Sequence, residues 1–143
     1  MMYPKAEWPG TTVLVVEDTD AIRRMVCAML TQNGYNCLEA SDGAEALRLL
    51  EAVEDVHLVL TDLIMPNMDG AELARHLSDS RPELRIIFMS GYAEDVGAHL
   101  LDRTTCFFLS KPFTPMALMK EVRAALDQPW QGIPDVRAGL RSA

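Results

Sequence analysis

A chain of 143 residues, 49% hydrophobic and 24% charged, has the length and make-up of one globular domain. Such a domain buries roughly 68–70% of its unfolded surface without disulfide or metal staples. Thirteen Lys and Arg against 21 Asp and Glu leave a formal charge of −8. That balance argues against direct nucleic-acid binding and against an anionic membrane surface, and leaves room for a divalent cation.

In chain order, residues 1–10 carry Lys5, Glu7, Pro4 and Pro9 without an apolar centre. They read as an N-terminal extension and not as a signal peptide. With no apolar run near the ~18–20 residues of a membrane span, the expected location is the cytoplasm. Thr12–Val16 is a continuous apolar, β-branched run, the first strand. Ile22, Met25, Val26, Met29 and Leu30 recur with the spacing of one helical face, and Asn33-Gly34 ends that helix. Asn36–Ala40 is a weaker strand, expected at an edge. Asp42 and Glu45 form a capping pair for a helix carrying Ala46, Leu47 and Leu50.

Val56–Leu60 is the third strand. Pro66 and Asp69-Gly70 supply a turn and a cap for a helix carrying Leu73, Ala74 and Leu77, which stops before Pro82. Arg85–Met89 is the fourth strand, followed by a shorter helix within Ala93–Leu101. Cys106–Leu109 is the fifth strand. Thr114-Pro115 opens a last helix with Leu118, Val122 and Ala125 on one face. Residues 128–143, with Pro129, Gly132, Pro134 and Gly139, lack periodicity and read as a tail or linker. Trp8 and Trp130 fall outside the repeating unit and read as covers for surface patches.

Apolar runs without polar alternation are buried on both faces, as in parallel sheets. Five β-α repeats therefore predict an α/β domain over residues 11–127 with right-handed crossovers. Cys27, Cys37 and Cys106 are odd in number, lie in apolar stretches and form no C-x-x-C pair, so they read as three inert buried thiols in a reducing compartment. His57, His76 and His99 read as structural or solvated, and most of the nine methionines as core fillers.

The informative feature is what ends each strand: Glu17-Asp18, Thr61-Asp62, Ser90-Gly91 and Ser110-Lys111-Pro112. Open α/β sheets bind ligands beyond the carboxyl ends of their strands, at a topological switch point. In the common order 2-1-3-4-5 the first and third strands are neighbours, which crowds Glu17, Asp18 and Asp62 together. Strands lie about 4.8 Å apart, so Lys111 starts roughly 10 Å from the third strand, within reach of an extended lysine. Crowded carboxylates call for a hard cation; Mg²⁺ takes one or two carboxylates and commonly a phosphate. The residues therefore describe a phosphoryl-transfer site, with Ser90 as hydroxyl donor and a carboxylate as nucleophile.

At these motifs the chain resembles the receiver domain of bacterial two-component response regulators. The motifs are Val13-Leu14-Val15-Val16-Glu17-Asp18, Leu60-Thr61-Asp62 through Pro66 to Asp69-Gly70, Met89-Ser90-Gly91 and Lys111-Pro112-Phe113, within about Thr11 to Asp127. Phe88 to Asp95 also resembles receivers appended to hybrid histidine kinases. The resemblance implies a flavodoxin-like (βα)5 three-layer sandwich with a parallel five-stranded sheet of order 2-1-3-4-5. It implies a phosphoryl group on Asp62, taken from a histidine kinase or histidine phosphotransfer protein. Asp18, Asp62 and the Ile64 carbonyl would bind Mg²⁺, Glu17 acting mainly through water. Lys111 and Ser90 would contact the phosphoryl group, with Lys111-Pro112 in the cis form. Ser90 and Phe108 would form the switch, acting on a downstream protein through the fourth helix, fifth strand and fifth helix, and a phosphorylation-dependent homodimer is compatible with it. Bulky Ile64 and Tyr92, beside the water path, imply slow autodephosphorylation. The chain would be a signalling module and not a metabolic enzyme.

Three other readings compete. An aspartate-nucleophile phosphatase of the haloacid dehalogenase type needs a second acid two residues after the nucleophile, where Ile64 stands. A flavin carrier needs a Ser/Thr/Gly phosphate loop where Glu17-Asp18-Thr19-Asp20 stands. A docking module that never takes phosphate would not need the full set of site residues.

Overall fold

A computed structural model describes residues 10–91, 107–129 and 132–133. The expected helix within 93–101, Tyr92, His99, Cys106, Trp8, Trp130, and most of both terminal segments lie outside the described residues. Five strands form one parallel sheet: β1 (Thr12–Val16), β2 (Asn36–Ala40), β3 (Leu58–Asp62), β4 (Arg85–Ser90) and β5 (Phe107–Ser110), in the order β2-β1-β3-β4-β5. Helices α1 (Asp20–Gln32), α2 (Gly43–Ala52), α3 (Gly70–Ser80) and a C-terminal helix (Pro115–Asp127) complete the described elements. The expected flavodoxin-like order is present, with β2 at an edge.

The unbroken apolar runs are explained by two cores, one on each face of the sheet. Leu14, Val16, Val59, Ile86 and Phe88 point to the layer of α2 and α3. Val13, Val15, Leu60, Ile87 and Met89 point to the layer of α1 and the C-terminal helix. Alternate residues of the central strands β1, β3 and β4 thus meet different helices, whereas edge strand β2 leaves Asn36 and Glu39 exposed. The caps are where local chemistry places them. Asp42, Asp69 and Thr114 each accept from the backbone N–H three residues on, at 2.8, 2.8 and 3.0 Å.

Several details differ from the sequence reading; β4 and β5, expected over Arg85–Met89 and Cys106–Leu109, run over Arg85–Ser90 and Phe107–Ser110. β3 spans Leu58–Asp62 and not Val56–Leu60. His57 N–H donates to the Thr12 carbonyl at 3.0 Å and its Nδ1 accepts from Thr12 N–H at 3.1 Å, which ties residue 57 beneath the ladder. The ladder then runs on until Asp62 pairs with Met89. Met25 belongs to the apolar stripe of α1 by spacing but is 47% exposed; the buried residues of that helix are Val26, Cys27 and Leu30. The stripe is wider than the face that the sheet covers. The backbone at Asn67 has φ +71°, a left-handed turn that the reading of Pro66 did not include.

The last difference overturns the reading of Cys27 and Cys37 as inert thiols, while Cys106 lies outside the described residues. Cys27 of α1 and Cys37 of β2 are joined as a disulfide, with their Cα atoms 5.8 Å apart. That separation lies within the usual range for a bridged pair. Linear spacing hides the pairing because one cysteine sits on a helix and the other on the strand beneath it.

Candidate functional site

Each candidate polar side chain stands at the carboxyl end of a strand, or just beyond one. Glu17 follows β1, Asp62 ends β3, Ser90 ends β4 and Lys111 follows β5. Because β1 and β3 are hydrogen-bonded neighbours, one carboxylate oxygen each of Glu17, Asp18 and Asp62 lies within 4.8 Å of the others. Glu17 and Asp62 are buried, and Asp18 is exposed. Asp18 is not the cap of α1, since Thr19 holds that position; Glu17 instead accepts from the Thr19 N–H at 3.2 Å.

Lys111 reaches across the top of the sheet. Its Nζ lies 2.6 Å from Glu17 Oε2 and 3.1 Å from Asp62 Oδ2. Its backbone N–H donates to the Ser90 carbonyl at 2.8 Å, and the following bond to Pro112 is cis. Ser90 is 3% exposed and pairs in register with Ser110, so β4 and β5 end level with each other beneath the lysine. Phe108 is partly buried and packs against the core on the α2 and α3 side.

The charges explain the protonation behaviour. Burial pushes Asp62 up, and the Lys111 charge only partly counters it while Glu17 adds to it, so its pKa rises to about 7. Burial also works against the Glu17 anion, but hydrogen bonds from Lys111 and the Thr19 N–H outweigh it and hold Glu17 below the ordinary range. Burial opposes the charged form of Lys111, yet Glu17 and Asp62 raise its pKa above normal. One ammonium is shared by two carboxylates, and the better-bonded one keeps its charge. Three carboxylates and one ammonium leave the site net negative. An all-oxygen donor set with excess negative charge fits a hard divalent cation.

Two features of the site depend on packing that the linear motifs do not describe. The N–H of Gly70 donates to the Leu63 carbonyl at 2.9 Å. A Cβ on Gly70 would collide with the Asp62 carbonyl oxygen and come within 3.1 Å of Leu63 Cα. The glycine thus lets the start of α3 close against the residue that ends β3, where the sequence reading assigned only a turn and cap. Beside the carboxylates opens a cleft of about 780 Å³ lined by Ile22, Met25, Asp62, Ile64, Lys111 and Phe113. Ile64, like Met25, is 47% exposed at its rim.

Residues 13–123 match the family model of the response regulator receiver domain. The sensor kinase CckA of Brucella abortus is 42% identical over 121 residues, 83% of this chain but only 13% of that kinase. The response regulator receiver protein CpdR of the same organism is 36% identical over 115 residues, 80% of this chain and 95% of its own length. The crystal structure of the receiver domain from the hybrid histidine kinase CckA superposes with a TM-score of 0.68 at 32% identity, covering 81% of this chain and 99% of that one. Among the described residues no helix is long and apolar enough to cross a membrane.

Proposed function

The chain belongs to the response regulator receiver domain family, signalling modules of two-component systems, and on that premise we propose that Asp62 accepts a phosphoryl group from a phosphohistidine of a histidine kinase or phosphotransfer protein. The observation that carries this reading is the cluster itself: three carboxylates within 4.8 Å, with the Lys111 ammonium 3.1 Å from Asp62. The receiver unit is taken as residues 11–127, with 1–10 and 128–143 outside it.

An Asp62 carboxylate oxygen attacks phosphorus while the P–N bond to the donor imidazole breaks; the bonding pair leaves with the imidazole, which takes up a proton. Lys111 supplies a positive charge to one phosphoryl oxygen and the Ser90 hydroxyl donates to another. Asp18, Asp62 and the Ile64 carbonyl would hold Mg²⁺, with Glu17 acting through water. When bound, that ion supplies charge neutralisation for the phosphoryl oxygens. The apolar rim formed by Ile22, Met25 and Ile64 offers the donor protein a surface next to the acceptor. Ser90 and Phe108 form the switch: movement of Ser90 toward the acylphosphate makes space for Phe108 to turn inward, altering the fifth strand and the helices beside it. A downstream protein reads that surface.

The test is intact mass after incubation with Mg²⁺ and acetyl phosphate, beside Asp62→Asn. One added phosphoryl group in the parent alone supports the reading. No addition in the parent, together with no binding of beryllofluoride at saturating Mg²⁺, leaves a docking module that takes no phosphate.

A further inference from the structure

On the opposite side of α1 from the cleft, the helix is fastened to the edge strand β2 at two levels. Arg23 Nε donates to Glu39 Oε1 at 3.0 Å, and one helical turn further on Cys27 meets Cys37, two residues before Glu39 on the strand. Arg23 and Cys27 share a face of α1, as Cys37 and Glu39 share a face of β2. We propose that Cys27 and Cys37 are a reversible, redox-sensitive thiol pair that clamps α1 to β2 when oxidised and releases it when reduced.

Three observations support reversibility over a permanent staple. The seam does not need the bond, because Val26 and Leu30 of α1 are fully buried in the sheet core and the Arg23–Glu39 pair spans the same gap. Cys37 is only partly buried on an edge strand, so a small thiol or disulfide can reach it, whereas Cys27 is 8% exposed. The Cα separation of 5.8 Å already suits a bridge, so closing it requires no rearrangement of helix or strand. Proteins in a reducing compartment use such bonds chiefly as transient or sensing devices.

The accessible thiol sets the order of steps. The Cys37 thiolate attacks a low-molecular-weight disulfide such as oxidised glutathione, breaking its S–S bond and releasing one glutathione thiolate. The Cys27 thiolate then attacks Cys37 Sγ, forming the internal bond and releasing the second. Two electrons pass from the cysteine sulfurs to glutathione disulfide, and the two cysteine protons end on the released glutathione thiols. An excess of a dithiol reverses both steps.

Trypsin is well placed to read this, because residues 25–48 hold both cysteines between Arg24 and Arg48, while Cys106 falls in another peptide. The full chain is incubated natively with oxidised glutathione or dithiothreitol, freed of reagent, unfolded in N-ethylmaleimide and digested. The expected result is two maleimides on the 25–48 peptide after dithiothreitol, none after oxidised glutathione, and unchanged labelling of Cys106. The oxidised form should melt roughly 5–12 °C higher, since the bond closes a short loop and so restricts the unfolded chain. Cys37→Ser should abolish that difference, and Cys27→Ala, which keeps the partly buried Cys37 thiol in place, should abolish it too. Two maleimides after oxidation, a stable glutathione adduct on Cys37, a bond involving Cys106, or a bridge that resists dithiothreitol in the folded protein would each overturn the proposal. None of these readouts involves Asp62, so the proposal stands or falls apart from phosphorylation.

Discussion

Lys111 Nζ donates to Glu17 Oε2 across 2.6 Å, joining residues 94 apart in the chain. This contact, and not the longer one of 3.1 Å to Asp62, anchors the lysine, because it is the shorter of the two and Glu17 is only 1% exposed. Lys111→Met should therefore leave three carboxylates without their neutralising charge. We expect phosphoryl uptake to fall at least roughly tenfold, the loss of one charge-assisted contact. We also expect Mg²⁺ to bind more tightly, because a competing positive charge has gone. Fluorescence or calorimetric titration with Mg²⁺ checks the second effect; weaker binding in the variant would contradict this electrostatic account.

Asp62 gives a pH prediction with a definite sign. Its pKa in the folded, metal-free protein is raised from the ordinary 3.8 to about 7, chiefly by burial. The folded state thus binds a proton that the unfolded state has released, so the ionised carboxylate opposes folding increasingly as pH rises from about 4 to about 7. Asp62→Asn should stabilise the metal-free protein at pH 7.5 by about 1–2 kcal/mol after allowance for solvent screening, and less at pH 5. Denaturant melts at the two pH values test this. By the same linkage, apparent Mg²⁺ affinity should rise with pH through about 7, because binding displaces the Asp62 proton.

Gly70→Ala probes the close approach between α3 and β3. The added methyl meets backbone, which cannot swing aside as a side chain can. We expect a loss of about 1–3 kcal/mol and slower uptake from acetyl phosphate, since the displaced atoms belong to Asp62 and Leu63. A variant of unchanged stability and rate would show that the loop yields freely.

Arg81 serves as a contrast far from the site. Its guanidinium donates to the Leu50 carbonyl at 2.9 Å and the Glu54 carbonyl at 2.8 Å, closing the end of α2. Arg81→Ala should lower stability by about 1–2 kcal/mol and leave phosphoryl uptake unchanged. Chemical denaturation and the mass assay separate the two effects.

The apolar rim yields a prediction that splits donors by size. Met25→Glu should slow transfer from a protein phosphohistidine roughly tenfold, about 1.4 kcal/mol of docking energy, and leave uptake from acetyl phosphate unaltered. Equal slowing with both donors would mean that Met25 acts on the acceptor and not on docking.

The legible part of this protein is the part written in neighbouring residues. Uninterrupted apolar runs such as Thr12–Val16, the caps Asp42, Asp69 and Thr114, and the polar residues ending each strand are short-range patterns, and they led to the parallel sheet and to the candidate cluster of Glu17, Asp18, Asp62 and Lys111. Their crowding was inferable because strand order puts β1 beside β3. Tertiary structure decided what depends on distant atoms meeting. The spacing of α1 made Met25 and Leu30 equivalent, but the sheet covers only Leu30 and leaves Met25 on the cleft. Cys27 and Cys37 looked like packing in two separate elements until α1 lay over β2. Gly70 read as a turn residue until the Asp62 carbonyl was found where its side chain would be. Periodicity reports which face of an element is apolar; only the packed fold determines which neighbour that face meets, and therefore which residues share a charge, a bond or a ligand.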